Sequence, residues 1–331
     1  MQGLLDRRLL VVTGKGGVGK TTDAAALGLL GAEGGRRTIV VEVGRQSRLA
    51  ELFGRPEPEP GEEVRLERGL SSISIDPDRA LLEWLQALGG RVSGRILASS
   101  GTFQYFAAAA PGAREIVTMV KIWRLADDGG RRGSSGKDLV ILDAPATGHA
   151  LGLLRSPQTF GAIARVGPVA KQTGQVQELL ADPDRAAYLA VAHGSEMAVT
   201  ETLELAADLE SGVGRELAGV VANALLPRRF SAAELGRVEE LRAPDGNGRG
   251  AGGAGETRLV EAAVRAAREV HDRAAFQHAQ VARLRRRGFE VVALPFLWDA
   301  ELGLDGVRHL ASRLGHALAR PAGAGPARAQ S

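Results

Sequence analysis

Nine consecutive residues, Gly14-Lys15-Gly16-Gly17-Val18-Gly19-Lys20-Thr21-Thr22, hold the strongest chemical signal in the chain. Their spacing is G-x-x-x-x-G-K-[ST], and each residue type in it has a physical reason. Glycines let a loop wrap its backbone N–H groups around phosphate oxygens. Lys20 is placed to reach the β- and γ-phosphates of ATP, and the Thr21 hydroxyl to ligate Mg2+. The chain has only five lysines, Lys15, Lys20, Lys121, Lys137 and Lys171, among 42 basic residues, so two in one loop are hard to read as compositional drift. An ammonium is a compact charge that fits between phosphates where a planar guanidinium does not.

A second acidic position follows at Asp143, which ends an apolar run and precedes Ala144-Pro145-Ala146-Thr147-Gly148-His149. A carboxylate at the C-terminal end of a strand lies beside the phosphate loop in sheets of this kind. Asp143 is therefore read as the partner of Thr21 on Mg2+, directly or through water, and Thr147 to His149 as a segment that senses the γ-phosphate. His149 alone reads as a hydrogen-bonded loop histidine as readily as a catalytic one.

These residues require particular elements to hold them. Leu9–Thr13 (LLVVT) reads as a buried strand before the glycine loop, and an Ala/Leu-rich helix follows from about Thr21 to Ala32. Thr38–Val43 (TIVVEV) supplies a second strand, which makes a βαβ unit and a parallel sheet. Pro56, Pro58 and Pro60 mark a surface loop, Leu70–Asp76 alternates as a strand, and Arg79–Asp128 is mostly helical in pattern. Further strands are expected at Leu139–Leu142, Tyr188–Ala192, Leu217–Ala222 and Val291–Leu294. The fold class is thus α/β, a doubly wound, mostly parallel sheet of P-loop NTPase type with a helical insertion.

In domain terms, 1–78 and 129–320 form the nucleotide-binding domain, and 79–128, with part of 150–186, a helical subdomain. Two stretches rich in Gly, Pro and Ala, 243–257 and 321–331, read as a flexible loop and a disordered tail.

Composition narrows the function classes. The 331 residues contain no cysteine, which removes disulfides, thiolate zinc sites and iron–sulfur clusters together. A net charge of +3 is spread along the chain, with one short basic cluster at Arg283, Arg285, Arg286 and Arg287 that reads as a solvated helix end, so no nucleic-acid partner is expected. No apolar run approaches the roughly 18 to 20 residues of a membrane span. The N-terminal residues carry no signal-peptide pattern, so a cytoplasmic location is expected for a protein not integral to the membrane.

The lysine directly after the first glycine makes the loop KGGVGKTT, which resembles the deviant Walker A ATPases. More specifically, KGGVGKTT at Lys15 to Thr22, DAPATGHALGLL at Asp143 to Leu154, and APGARE at Ala110 to Glu115 resemble the ArsA family, which includes arsenite-pump ATPases and ATPases that target tail-anchored proteins. Supporting matches are Glu196-Met197 with Glu201-Thr202, Val220 to Asn223, and Leu294 to Leu297, so the likeness runs from about Leu9 to Leu318. The resemblance implies a dimer, homomeric or with a paralogue, in which Lys15 reaches the nucleotide of the facing subunit. On physics alone Lys15 is equally a solvated loop charge. The resemblance also makes Asn223 the residue that reads adenine and Pro295 part of the segment packed on the base. An amide that both donates and accepts suits adenine's edge, although a capping role is the alternative for Asn223.

Departures from the family pattern matter as much. Counting back from Leu49 and Phe53 puts Gly44 where the family carries a water-orienting aspartate, so hydrolysis is expected to be slow or to use Glu42, Glu51 or another group. Without cysteine, neither thiolate capture of a metalloid nor a zinc-clamped dimer is available. Tail-anchor members hold an apolar client helix in the insertion, which here offers Leu81, Leu82, Trp84, Leu85, Leu88, Phe103, Tyr105, Phe106, Ile116, Met119, Val120, Ile122 and Trp123 either as a groove or as ordinary core. The leading expectation is an ATP-hydrolysing dimeric switch acting on a membrane-protein partner or apolar client. The alternatives are a weakly hydrolysing nucleotide-binding subunit and a partitioning or division ATPase.

Overall fold

The computed structural model describes residues 1, 3–88, 112–128, 136–163, 167–240, 254–298 and 302–319. Its centre is an eight-stranded sheet in the order β3-β4-β2-β5-β1-β6-β7-β8. The strands are β1 (Leu9–Thr13), β2 (Thr38–Val43), β3 (Glu63–Glu67), β4 (Leu70–Ile75), β5 (Leu139–Asp143), β6 (Ala186–His193), β7 (Gly219–Leu225) and β8 (Val291–Pro295). Every pairing is parallel except β3 with β4. This is the expected doubly wound α/β fold of P-loop NTPases, with one antiparallel edge strand added.

Alternate strand residues feed two cores, as a sheet covered on both faces requires. Leu9, Val11, Ile39, Val41, Val140 and Leu142 face one side. There they meet α3 (Pro77–Leu88), α4 (Ala113–Asp128), α5 (Thr147–Ile163) and α6 (Gly167–Ala181). Leu10, Val12, Val40 and Ile141 face the other, against α1 (Lys20–Glu33) and the last described helix, α10 (Leu304–Leu318). That last helix spends its apolar face, Val307, Leu310, Ala311 and Leu314, on this core. Between these lie α2 (Arg48–Leu52), α7 (Glu196–Val213), α8 (Ala232–Glu240) and α9 (Ala254–Arg286).

Several sequence expectations are corrected. Glu63–Glu67 (EVRLE), not among the expected strands, is an edge strand whose two apolar residues, Val64 and Leu66, turn inward. The helix after the glycine loop starts one residue early, at Lys20. Of the proposed groove residues, Leu81, Ile116, Met119, Val120 and Ile122 are buried in the sheet-facing core and Trp84 and Trp123 pack against it, while Leu82 is exposed. Phe103, Tyr105 and Phe106 lie outside the described residues, as do 243–253 and 321–331. Helix α9 begins at Ala254 and so takes up the last four residues of the stretch read as flexible.

Candidate functional site

The parallel strands end on one side of the sheet, and the glycine loop runs from the end of β1 into α1 there. Its shape depends on missing side chains. Gly14 has φ +143°, and a Cβ on it would stand 2.2 Å from the carbonyl oxygen of Val191 in β6. Gly19, the N-cap of α1, has φ +92°, and a Cβ there would stand 2.2 Å from Asn223 Nδ2. Gly16 and Gly17 are exposed, Val18 is buried beneath the loop, and Thr22 follows in the first turn of the helix. The first turn of α1 therefore directs free N–H groups into the loop, an arrangement that favours anions.

Lys20 turns its Nζ back on the loop and donates to the Lys15 carbonyl oxygen at 2.9 Å. Burial lowers its pKa, Asp143 opposes that shift, and the positive charge of Arg48 adds to it. Thr21 Oγ1 donates to Asp143 Oδ2 at 2.6 Å. Asp143 ends β5, opposite Val12 of β1 and Glu42 of β2. Burial pushes its pKa up to about 6, against the pull of Thr21, Lys20 and Arg48. Its second oxygen, Oδ1, is buried without a hydrogen-bond partner, as is Thr147 Oγ1 at the start of α5. His149 is exposed in the same turn.

This donor set fits Mg2+. It offers oxygen ligands, one of them an orphaned carboxylate oxygen. Among the described residues no group of three or more His, Cys, Asp or Glu side chains could hold a metal ion. Magnesium suits such a place because it usually takes one or two protein ligands and completes its shell with phosphate and water.

On the other side of β1, Asn223 stands in β7 opposite His193 of β6. Its Nδ2 donates to the Val18 carbonyl at 3.0 Å and its Oδ1 accepts from the Ala224 N–H at 2.8 Å. The amide thus braces the phosphate loop. Pro295 pairs with Leu225 at the end of β8. Beyond it Phe296 and Trp298 meet edge-on at 4.9 Å, and the Arg229 guanidinium lies over the Trp298 ring.

The segment after β2 forms the remaining wall. Gly44 (φ +154°) donates its N–H to the Ile75 carbonyl, and its own carbonyl accepts from Ser74 Oγ at 2.6 Å. Glu42, a residue offered as a replacement water-orienting group, does not face an open site. It is buried, accepts from Ser47 Oγ at 2.8 Å and from the Arg48 N–H at 2.9 Å, and is also bonded by the Leu49 N–H. Burial pushes its pKa up to about 7 despite the Ser47 bond, with the charge of Asp143 adding to the rise. Glu51 is exposed on α2.

Lys15 leaves the loop on the outer side, where its Nζ lies 2.6 Å from Glu201 Oε1 of α7 and against Met197 Sδ. Sequence reasoning had quoted Glu201 without pairing it to Lys15, and it missed Asp23. That carboxyl lies in the first turn of α1, 0% exposed, with both oxygens unpartnered among the described residues. Burial, with the charge of Asp143 adding to it, raises its pKa well above the ordinary carboxylate range. A lone acid in the run TTDAAALGLL was the available signal.

Residues 7–175 match the family model of anion-transporting ATPases, the ArsA ATPases. Over 241 residues, 70% of this chain and 69% of the relative, the chain is 33% identical to ATPase BagA of Mycobacterium tuberculosis. It is 30% identical over 183 residues to ATPase GET3 of Paracoccidioides lutzii, covering 53% of this chain and 51% of that one. A Halobacterium salinarum protein named as an arsenical pump-driving ATPase is 29% identical over 242 residues, only 36% of its length. Among the described residues no helix is long and apolar enough to cross a membrane.

Proposed function

The chain belongs to the ArsA family of anion-transporting ATPases, and on that premise we propose that it is a Mg2+-dependent ATPase whose nucleotide state switches a dimer that handles a partner or apolar client. The observation that carries this reading is the meeting of Lys20, Thr21 and Asp143 at the end of β1 and β5, under a loop shaped by Gly14 and Gly19.

The loop N–H groups and Lys20 hold the β- and γ-phosphates, and Asn223 and the Pro295 segment border the base. Thr21 and Asp143 hold Mg2+, which offsets phosphate charge when bound. In hydrolysis a water oxygen bonds to the γ-phosphorus while the bond from that phosphorus to the bridging oxygen breaks. ADP leaves with the electron pair, and the water's proton passes to phosphate or solvent. Lys20 and the loop N–H groups stabilise the charge that collects on the bridging and β-oxygens. Lys15, released from Glu201, is the group free to reach a facing subunit, identical or paralogous. The protein acts in the cytoplasm on this reading.

A second reading, a subunit that binds ATP but turns it over weakly, is favoured by one specific observation. Gly44 offers no carboxylate, and that of Glu42 is engaged by Ser47, Arg48 and Leu49.

Phosphate release by the wild type, Lys20→Ala and Lys15→Ala, with light scattering with and without ATP and Mg2+, tests both. The expected result is turnover and an ATP-dependent dimer in the wild type, with turnover lost in both variants. ATP binding without turnover selects the second reading, and absence of ATP binding to the wild type overturns both.

A further inference from the structure

The wall formed by the segment after β2 carries a cation that the phosphate-loop reading does not use. Arg48 is the first residue of α2, with Ser47 as its N-cap, and its side chain is exposed. Three bonds fix the backbone beneath it. Glu42 accepts from the Arg48 and Leu49 N–H groups and from Ser47 Oγ. Upstream, Gly44 is tied to β4 through Ser74 and Ile75. The residue therefore rises from a braced base, although its own side chain is unconstrained.

Arg45, three residues earlier, pairs with Asp76 and Asp78. Among the described residues Arg48 makes no ion pair. Nearby, its positive field is felt at both Lys20 and Asp143, depressing the first and favouring the ionised form of the second. Lys20, Arg48 and the open N–H groups of α1 thus gather positive charge around one space, and an anion is what relieves it.

The sheet order says which anion. Asn223 and Pro295 lie on β7 and β8, on one side of β1, whereas Asp143 and Glu42 lie on β5 and β2, on the other. A nucleotide with its base over β7–β8 and its β-phosphate in the loop between β1 and α1 directs its terminal phosphate toward β5 and β2. Arg48 stands at that end.

We propose that Arg48 is the residue that distinguishes ATP from ADP, its guanidinium binding the γ-phosphate across from Lys20 where Gly44 leaves the wall without a side chain. This rests on the ATPase reading above and adds a residue to its site. Arg48 supplies charge and geometry rather than proton transfer, since a guanidinium keeps its proton.

Binding of ATPγS and of ADP, each with Mg2+, to the wild type, Arg48→Ala, Arg48→Lys and Lys20→Ala tests it, with thermal unfolding of each variant. The expected result is that Arg48→Ala weakens ATPγS about tenfold or more and leaves ADP within about twofold, with Arg48→Lys between, and no change in melting temperature. Lys20→Ala weakens both nucleotides. Equal affinities of wild type and Arg48→Ala for ATPγS, or equal losses for ATPγS and ADP, overturn the assignment and leave the ATPase reading standing. If the wild type binds neither nucleotide, the ATPase reading itself fails and this assignment with it.

Discussion

The ammonium of Lys15 lies 2.6 Å from the Glu201 carboxylate of the same chain, bridging the phosphate loop to α7. Both side chains are about a third exposed, so water and salt screen the pair. Its energetic weight is small, and its effect is on where Lys15 points. In a double-mutant cycle of Lys15→Ala and Glu201→Gln, urea unfolding of the nucleotide-free protein should give a coupling below about 1 kcal/mol. A larger coupling would make the pair a structural strut.

Asp23 is a stability defect at the root of the phosphate-loop helix. Both its oxygens are buried without hydrogen-bond partners among the described residues, so the carboxyl loses its hydration with nothing in exchange, and burial raises its pKa. Asp23→Ala removes those oxygens and improves helix propensity. It is expected to stabilise the nucleotide-free protein by about 1–2 kcal/mol in urea unfolding. A loss of stability would mean that the carboxyl has a partner in solution.

The pH dependence of stability should carry the mark of Glu42. Its pKa is about 7 in the fold, against 4.5 for an ordinary glutamate. Below the lower value both states hold the proton and Glu42 imposes no penalty. Between the two values the unfolded chain releases its proton while the folded chain keeps it, so stability falls as pH rises, and it levels off above the folded value. Asp143, raised to about 6, adds a fall of the same sign. Asp138, held at about 2 mainly by its bond to Arg37, changes stability in a more acidic window. Urea midpoints of the nucleotide-free wild type should therefore decline from about pH 5 to about pH 7, and Glu42→Gln should flatten that decline. An unchanged slope in the variant would remove Glu42 as its source.

Two glycines of one loop should fail in different ways. A methyl group on Gly14 meets the Val191 carbonyl at 2.2 Å with φ +143°, so Gly14→Ala is expected to cost roughly 3 kcal/mol or more, or to leave no soluble protein. At Gly16 the nearest atom is Ala146 Cβ at 3.9 Å. Gly16→Ala should keep the wild-type unfolding midpoint within about 0.5 kcal/mol while weakening ATP, because the new methyl group stands where phosphate approaches. Equal thermal stability of the two variants would contradict the geometry.

The parts of this fold legible in the sequence are those whose signal is local. LLVVT and TIVVEV form strands over their whole expected length because continuous apolar runs between turn residues suit strands covered on both faces. The Asp143 position was readable because one acid closes an apolar run. EVRLE hid its strand because this edge strand buries only Leu66 fully and Val64 in part. Asp23 and Arg48 draw their character from elements far along the chain. The first is shut in by the sheet beneath α1, and the second is carried to the end of β5 by the bonds of Glu42. Whether the apolar residues of α4 formed a groove or a core depended on which face met the sheet, and periodicity alone does not specify that face.

The antiparallel strand β3 gives the sheet a guarded rim. Every other strand pairing is parallel, and without β3 the long side of β4 would offer its backbone groups to any extended chain nearby. Glu63, Arg65 and Glu67 instead stand along the outermost strand, two of them exposed, with a register shift between Arg65 and Glu67. A foreign strand adding there would have to follow that kinked path and crowd its side chains against alternating charges. Fibre-like growth from this border is thereby disfavoured, which protects a chain that must keep an apolar sheet from recruiting its neighbours at high concentration.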